Sequence, residues 1–168
     1  MSGASISVTV SGPALEGFRR LEGAMETTTP VMSAIGTGLV GSTHMRFVRQ
    51  TDPDGAAWAA LDPEYAQGKR NTRILTESGR LRDSINSRPG PREVRVGTNV
   101  IYAAIHQFGG TIKPKNASHL WFRFGGALVR ADSVTLPARP YLGISADDET
   151  MIAETIIDFL ERYVPSSP

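Results

Sequence analysis

Apolar residues recur along this chain with two periods. In "SISVTV", Ile6, Val8 and Val10 alternate with serine and threonine, the pattern of a half-buried strand. Ser11 and Pro13 then open a helix. Leu15, Phe18, Leu21 (or Glu22) and Met25 keep its helical period, with Glu16, Arg19 and Arg20 outside. Thr29-Pro30 starts a second, longer helix. Threonine caps it and proline takes the first helical position, where its missing N–H costs nothing. This helix is expected to run to Gln50, with Val31, Ile35, Leu39 and Phe47 in one stripe interrupted by Thr43. Gly36, Gly38 and Gly41 lie inside it, and each costs about 0.5–1 kcal/mol relative to alanine. Glycines retained at that cost predict a helix packed closely on a neighbour, with another subunit among the candidates.

Beyond this helix the pattern shortens. "DPDG", Asp52 to Gly55, is a turn signature, and Trp58 and Leu61 anchor the loop that follows. Asp62-Pro63 starts a short helix over "PEYAQGK", and the polar, basic run 66–73 reads as exposed. Ser78 caps a further short helix, with Leu81 and Ile85 inward and Arg80, Arg82 and Asp83 outward; "SRPGP" ends it. "EVRVGTNVIY" reads as a strand pair or a bulged strand: Val94 and Val96 alternate, Gly97 to Asn99 turn, and Val100 and Tyr102 resume. "HLWFRFGGALVR" is a hairpin closed by Gly125-Gly126. "LPARPYLG" cannot be regular, with Pro137 and Pro140 three apart. The last helix is capped by Ser145, carries Asp147, Asp148 and Glu149 at its positive end, and buries Ile152, Ile156, Phe159 (or Leu160) and Tyr163.

The fold class is therefore α+β: a small antiparallel sheet with a β-hairpin, packed against a long N-terminal helix and a C-terminal amphipathic helix. The expected organisation is one domain over 1–164, with the long helix at 29–50 and an exposed loop and short-helix region at 51–78. "PSSP", 165–168, is expected to be a disordered tail.

Composition removes whole classes of chemistry. The chain has 168 residues, a formal net charge of +1 and no cysteine. Disulfides, thiolate metal sites and cysteine nucleophiles are excluded. No apolar run approaches the roughly 20 residues of a membrane span. "MSGASISVTV" lacks the basic start and apolar core of a signal peptide, so a soluble protein folded in a cytosol is expected.

Charge is unevenly spread. Residues 69–95 hold eight basic side chains (Lys69, Arg70, Arg73, Arg80, Arg82, Arg88, Arg92, Arg95) against three acidic ones (Glu77, Asp83, Glu93). Residues 145–163 hold six acidic ones (Asp147, Asp148, Glu149, Glu154, Asp158, Glu161) against Arg162 alone. One reading is two solvated faces. A second is a subunit whose basic edge, with Arg80, Arg82, Arg88 and Arg92, meets a neighbour's acidic edge, with Asp147, Asp148 and Glu154. Such head-to-tail contacts close into rings. A third is a basic lining that faces a nucleic acid, although few aromatics accompany the arginines for stacking on single strands.

Candidate chemistry centres on "YAAIHQFGG". The three histidines, His44, His106 and His119, have no metal-helix spacing, and neither G-x-S-x-G nor a G-K-[ST] phosphate loop occurs. His106 reads as a half-buried ring hydrogen-bonded near a turn. A hydrolase would need it to converge with Tyr102 or Asp132. Gly109-Gly110 has a plainer explanation: Tyr102 to Phe108 form a helical turn ended by a glycine cap, and the chain reverses into "TIK". No catalytic residue, metal ligand or cofactor is expected.

Four blocks in order resemble a known family: "MRFVRQTDPDGAAWAALDPEYAQGK", "ILTESGRLRDSI", "VRVGTNVIYAAIHQFGG" and "LPARPYLGIS", followed by the amphipathic helix. The chain from Pro30 to Tyr163 resembles the phage virion morphogenesis family, the tail-completion proteins of Mu-like phages. "SGRLRDSI" with the later "YA" and "FGG" is also similar to a wider group of phage neck proteins. The resemblance implies structural work rather than catalysis. It implies a virion protein of the tail and neck, assembled in the host cytoplasm, that forms a homo-oligomeric ring and makes the tail competent to join the filled head. Its partners would be other tail and neck proteins and, in passing, DNA in the lumen, with no membrane. The alternatives are a head-side connector or tail-tube terminator, a DNA-binding module using residues 69–95, and the small hydrolase. Tyr102, His106, Phe108, Gly109 and Gly110 are then a structural corner. Pro137, Arg139, Pro140, Tyr141 and Leu142 form a proline-stiffened segment that docks on the core or a neighbour, anchored by Tyr141 and Leu142.

Overall fold

The structure is a computed structural model and describes residues 13–124 and 126–163. The strand expected at Ser5 to Val10 and the tail 165–168 lie outside the described residues.

Two helices lead, α1 (Pro13–Glu26) and α2 (Thr29–Arg49). α1 forms where expected but is rotated: it turns Gly17, Leu21 and Ala24 inward, and Phe18 and Met25 are exposed. Only two residues separate α1 from α2, and Ala24 joins the apolar cluster of Val31, Ile35 and Leu39 on α2. The cap of α2 is Thr28 rather than Thr29. Thr28 already has helical backbone angles, so its hydroxyl makes no capping bond and is left buried without a partner. Val31, Ile35, Leu39, Thr43 and Phe47 are all buried, as the four-residue stripe predicts.

The chain then forms α3 (Pro63–Gly68), α4 (Arg80–Asp83), β1 (Asn86–Pro89) and β2 (Val94–Gly97). Asp62 caps α3 by accepting from the N–H groups of Glu64 and Tyr65. The hairpin β1–β2 corrects the strand pair expected in "EVRVGTNVIY". Val94 pairs backwards with Pro89 and Gly97 with Asn86, while Val100 and Tyr102 belong to the turn entering α5 (Ala103–Phe108). "SRPGP" does not end the helix: α4 stops at Asp83 with Ser84 as its cap, and Ser87 to Pro89 are already strand; Pro89, last in its strand, needs no ladder N–H.

β3 (Gly110–Ile112) pairs with β6 (Val134–Leu136), and β4 (Leu120–Phe124) with β5 (Ala127–Ala131), the expected hairpin. α6 (Ala146–Glu161) closes the described chain. The α+β class holds, but the single small sheet is instead three separate two-stranded antiparallel ladders. Among the described residues no helix is long and apolar enough to cross a membrane.

Two apolar clusters sit along α2. One joins Phe47 to Trp58, Leu81, Ile85, Val100, Ala103 and Tyr141. Phe47 meets Trp58 edge-on with ring centres 5.4 Å apart, and Tyr141 at 5.3 Å. The other joins Ala24, Val31, Ile35 and Leu39 to Phe159 of α6. The α2 glycines explain why these partners fit. A Cβ on Gly36 would stand 2.8 Å from Ser87 Cβ and from Val94 Cγ2, and one on Gly38 2.7 Å from Met151 Sδ. The close neighbours of Gly36 and Gly38 are β1–β2 and α6 of the same chain, whereas Gly41 has nothing within 4 Å of an added Cβ.

Candidate functional site

The segment 137–143 is held on the core rather than offered to a neighbour. Its anchors are backbone carbonyls and one glutamine, because its two prolines prevent it from joining a ladder. Gln107 Oε1 accepts from the N–H groups of Tyr141 and Leu142, both at 3.0 Å, and its Nε2 donates to Leu142 O at 2.9 Å. Trp58 Nε1 donates to Pro140 O at 2.7 Å. The buried Arg139 side chain donates to Ala59 O and Ala60 O at 2.7 and 2.8 Å, tying the strap to the loop after Trp58. Tyr141 is 1% exposed and donates to Ala103 O at 3.2 Å.

This strap also settles the glycine pair. Gly109 ends α5 with φ 68°, and a Cβ there would lie 2.6 Å from Ala138 N. Glycine is required twice over, by backbone conformation and by the strap crossing against it. The helical turn with a glycine end stands as expected.

Arg46 extends from α2 beneath the strap. It donates to Tyr141 O at 3.0 Å and Gly143 O at 2.9 Å, and it is ion-paired with Asp148, both side chains being buried. Asp148 closes a capping box with Ser145 at the start of α6. Burial alone would raise the Asp148 pKa. Hydrogen bonds from Ser42 and Ser145 and the Arg46 charge outweigh that and hold it below its ordinary value. Asp148 is therefore no part of an acidic contact edge, which corrects its assignment: an uncompensated Arg46 requires it in the interior.

The remaining charged candidates lie outside. Asp147 and Glu154 are exposed on α6. Arg80 is exposed; Arg82 is partly covered and bonded to Asp83 at 2.7 Å. Arg88 faces Arg95 directly across β1–β2, and Arg92 is exposed in the turn between the strands. Like charges directly opposite destabilise a ladder; Glu93 offsets Arg95 at 2.9 Å. The run 66–73 is not simply exposed. The Lys69 side chain is buried, and its Nζ donates to Arg73 O and Thr76 O at 2.9 and 2.8 Å and pairs with Glu77 at 2.9 Å. This lysine fastens the loop to itself.

Tyr102 and His106 do come together, ring centres 5.8 Å apart, beside a cleft of about 830 Å³ between α3, α5 and the β4–β5 hairpin. Phe108, by contrast, points outward and is exposed. His106 is half-buried, but Nδ1 has no hydrogen-bond partner, which corrects the expected ring hydrogen bond; it is the backbone carbonyl of His106 that accepts, from Arg139 N at 2.8 Å. Burial, and then the Arg139 charge, push its pKa below the usual 6.5. Among the described residues no carboxylate orients it: Asp62 caps α3, Glu77 holds Lys69, and Asp132 binds His119 Nδ1 at 2.7 Å. Among the described residues no group of three or more His, Asp and Glu side chains is placed to hold a metal ion.

Neither Arg46 nor Gln107 belongs to a motif that marks it as a site residue in the sequence. Arg46 does fall seven residues after Leu39, on the buried stripe, and a cation there signals a buried partner; Gln107 carries no such signal.

The chain is 30% identical over 142 residues to the putative capsid assembly protein G of Escherichia phage Mu, covering 80% of each chain. It is 32% identical over 147 residues to the Mu-like prophage FluMu G protein 2 of Haemophilus influenzae, covering 88% of each. No solved structure matches it significantly. The profile of the phage virion morphogenesis family matches residues 12–161, so the match takes in α1, ahead of the Pro30 start seen in the sequence blocks. The chain belongs to the phage virion morphogenesis family.

Proposed function

We propose that this protein is a non-catalytic virion component that completes the tail as a ring of identical copies at its head-proximal end and enables head–tail joining. The observation that carries the reading is the separation of uncompensated charge. The outer face of β1–β2 presents Arg88 with Arg92 beside it, while the outer side of α6 presents Asp147, Glu154, Asp158 and Glu161. A ring built from such subunits sets one flank against a neighbour and turns another to the lumen. A basic face toward the lumen suits passing DNA, whose phosphates would supply the counter-charge. Arg80 and Arg82 lie on α4, just ahead of β1 in the chain, and Arg82 is already paired with Asp83. The absence of an orienting acid at His106 fits work by shape rather than by reaction.

The test is genetic and physical. A phage carrying Arg88→Glu and Arg92→Glu should make heads and tails that do not join, while the purified variant keeps the circular dichroism spectrum and melting temperature of the wild type. Normal joining in that phage would remove the role given to this face.

A second reading has its own support: the Mu relative is described as a capsid assembly protein, which favours a head-side connector. Purified heads and purified tails distinguish the two. Protein found on tails from a head-defective infection supports tail completion; protein confined to heads supports the connector.

A further inference from the structure

The register of the β4–β5 hairpin sorts its side chains onto two faces. Trp121 lies opposite Arg130, and Arg123 opposite Leu128; the pairs Leu120–Ala131 and Phe122–Val129 alternate with these. Alternate pairs project to opposite sides of a ladder. Leu120, Phe122, Val129 and Ala131 are partly buried, and Phe122 and Val129 line the cleft. The other face is open. Trp121 is 63% exposed and Leu128 65%, with exposed Arg123 and Arg130 on the crossing diagonal. Arg123 donates to Gly126 O of its own turn at 3.5 Å and borders the cleft, and neither arginine has a carboxylate partner among the described residues. Tryptophan and arginine are the residues most enriched at interface hot spots.

The complementary surface is on α6. Asp147, Thr150, Glu154, Ile157, Asp158 and Glu161 recur at helical spacing on the side away from Phe159, and all are exposed. None of the four carboxylates is ion-paired with a described residue. Ile157, 53% exposed, sits among them. One surface is thus cationic around an apolar centre, and the other anionic around an apolar centre. Diagonal hairpin neighbours lie about 7–8 Å apart and carboxylates on successive helical turns about 5–6 Å apart, a difference that long arginine side chains absorb.

We propose that the outer face of the β4–β5 hairpin of one copy docks on the outer stripe of α6 of a second copy. Arg123 and Arg130 meet the carboxylates of Glu154, Asp158 and Glu161, and Trp121 and Leu128 cover Ile157. The occupant is a second copy because the charges match and both surfaces stay open within one chain. The contact joins two different surfaces, so each copy offers one of each and the series runs on until it closes. This inference rests on the ring reading and names the contact that builds it.

Charge reversal on the full-length protein tests it. Arg123→Glu with Arg130→Glu makes one variant, and Glu154→Arg with Asp158→Arg the other; all four sites are exposed, so both should melt as the wild type does. Sedimentation velocity should show self-association of each weakened roughly 100-fold or more. An equimolar mixture should re-associate in alternation, because each altered surface now suits the other's. A chain carrying all four reversals should also recover. Wild-type-like association of the hairpin variant would overturn this contact while leaving the ring standing, as would a mixture that stays dissociated. Loss of binding to short duplex DNA without loss of association would make the hairpin a nucleic-acid surface instead. A wild-type chain that stays monomeric alone and with purified tails would overturn the contact and the ring reading together.

Discussion

Arg46 and Asp148 show how one buried pair ties three parts of the chain together. The guanidinium reaches the strap and α6 at once, so removing either charge strands the other away from water. Asp148→Asn should lower the free energy of unfolding by about 3–5 kcal/mol, measured by urea denaturation at neutral pH. The depressed pKa fixes the sign of the pH effect. The folded state holds the carboxylate charged, so the stabilisation is complete above the ordinary value of 3.8 and is lost as pH falls through the lower folded value. Wild-type stability should fall in that acid window with a steeper slope than in Asp148→Asn. His106 has a window of its own. Its folded pKa is pushed below 6.5, so the neutral ring favours folding, and stability drops as pH falls below 6.5. An NMR titration of the His106 ring should give a midpoint below that of an exposed histidine; a midpoint at or above 6.5 would contradict the burial described here. Asp148 lies four residues before Ile152, on the buried face of α6, just as Arg46 lies on the stripe of α2. Periodicity alone marked both as interior, but charge on each hid it.

The packing of α2 is graded along its glycines, and substitution should read the grade directly. Gly41 has nothing within 4 Å of an added Cβ, so Gly41→Ala should stabilise by about 0.5–1 kcal/mol. Gly38 meets only the flexible end of Met151, and Gly38→Ala should change little. Gly36 abuts Ser87 and Val94 on a paired hairpin, and Gly36→Ala should cost about 1–3 kcal/mol. Thermal melts of the three variants in that order would confirm which neighbour is rigid. The hairpin involved is the element the sequence hid best. "NVIY" has strand composition, but Val100 and Ala103 are drawn onto the core, and β2 takes its partner from upstream, where Pro89 and Gly90 argue against a strand. The helical period of α1 is legible in the sequence but its buried side is not, because Phe18 and Met25 outweigh Gly17 and Ala24 in hydrophobicity although only the smaller pair is buried.

Seen whole, the molecule divides its charges by purpose. Arg46, Asp148, Arg139 and Lys69 act inside, joining segments; Arg88, Arg92, Arg123 and Arg130 face out, as do the α6 carboxylates. Interior pairs are shielded from salt, and exposed contacts are not. Raising salt from 50 to 500 mM should therefore dissociate assemblies of this protein, read by native mass or sedimentation, with little change in the melting temperature of the subunit. Assemblies that persist unchanged at high salt would point to an apolar contact, for which the exposed Ile101 and Phe108 of the α5 side are the strongest alternatives.

Local order was written in the chain: the span of α2, the caps at Asp62 and Ser145, the glycine end of α5, the β4–β5 hairpin, and the family that its ordered blocks resemble. These depend on backbone geometry and on spacing within a few residues. Tertiary structure alone decided that "PARPYLG" is strapped by Gln107, that β1 rather than 100–102 pairs with β2, that His106 lacks an acid, and which charges are buried. The strap and the buried pair turn on contacts between residues 34 to 102 positions apart, and the β1–β2 hairpin, local in sequence, is selected by its packing on α2; a one-dimensional pattern carries a residue's preference for burial but not the identity of the partner that makes burial affordable.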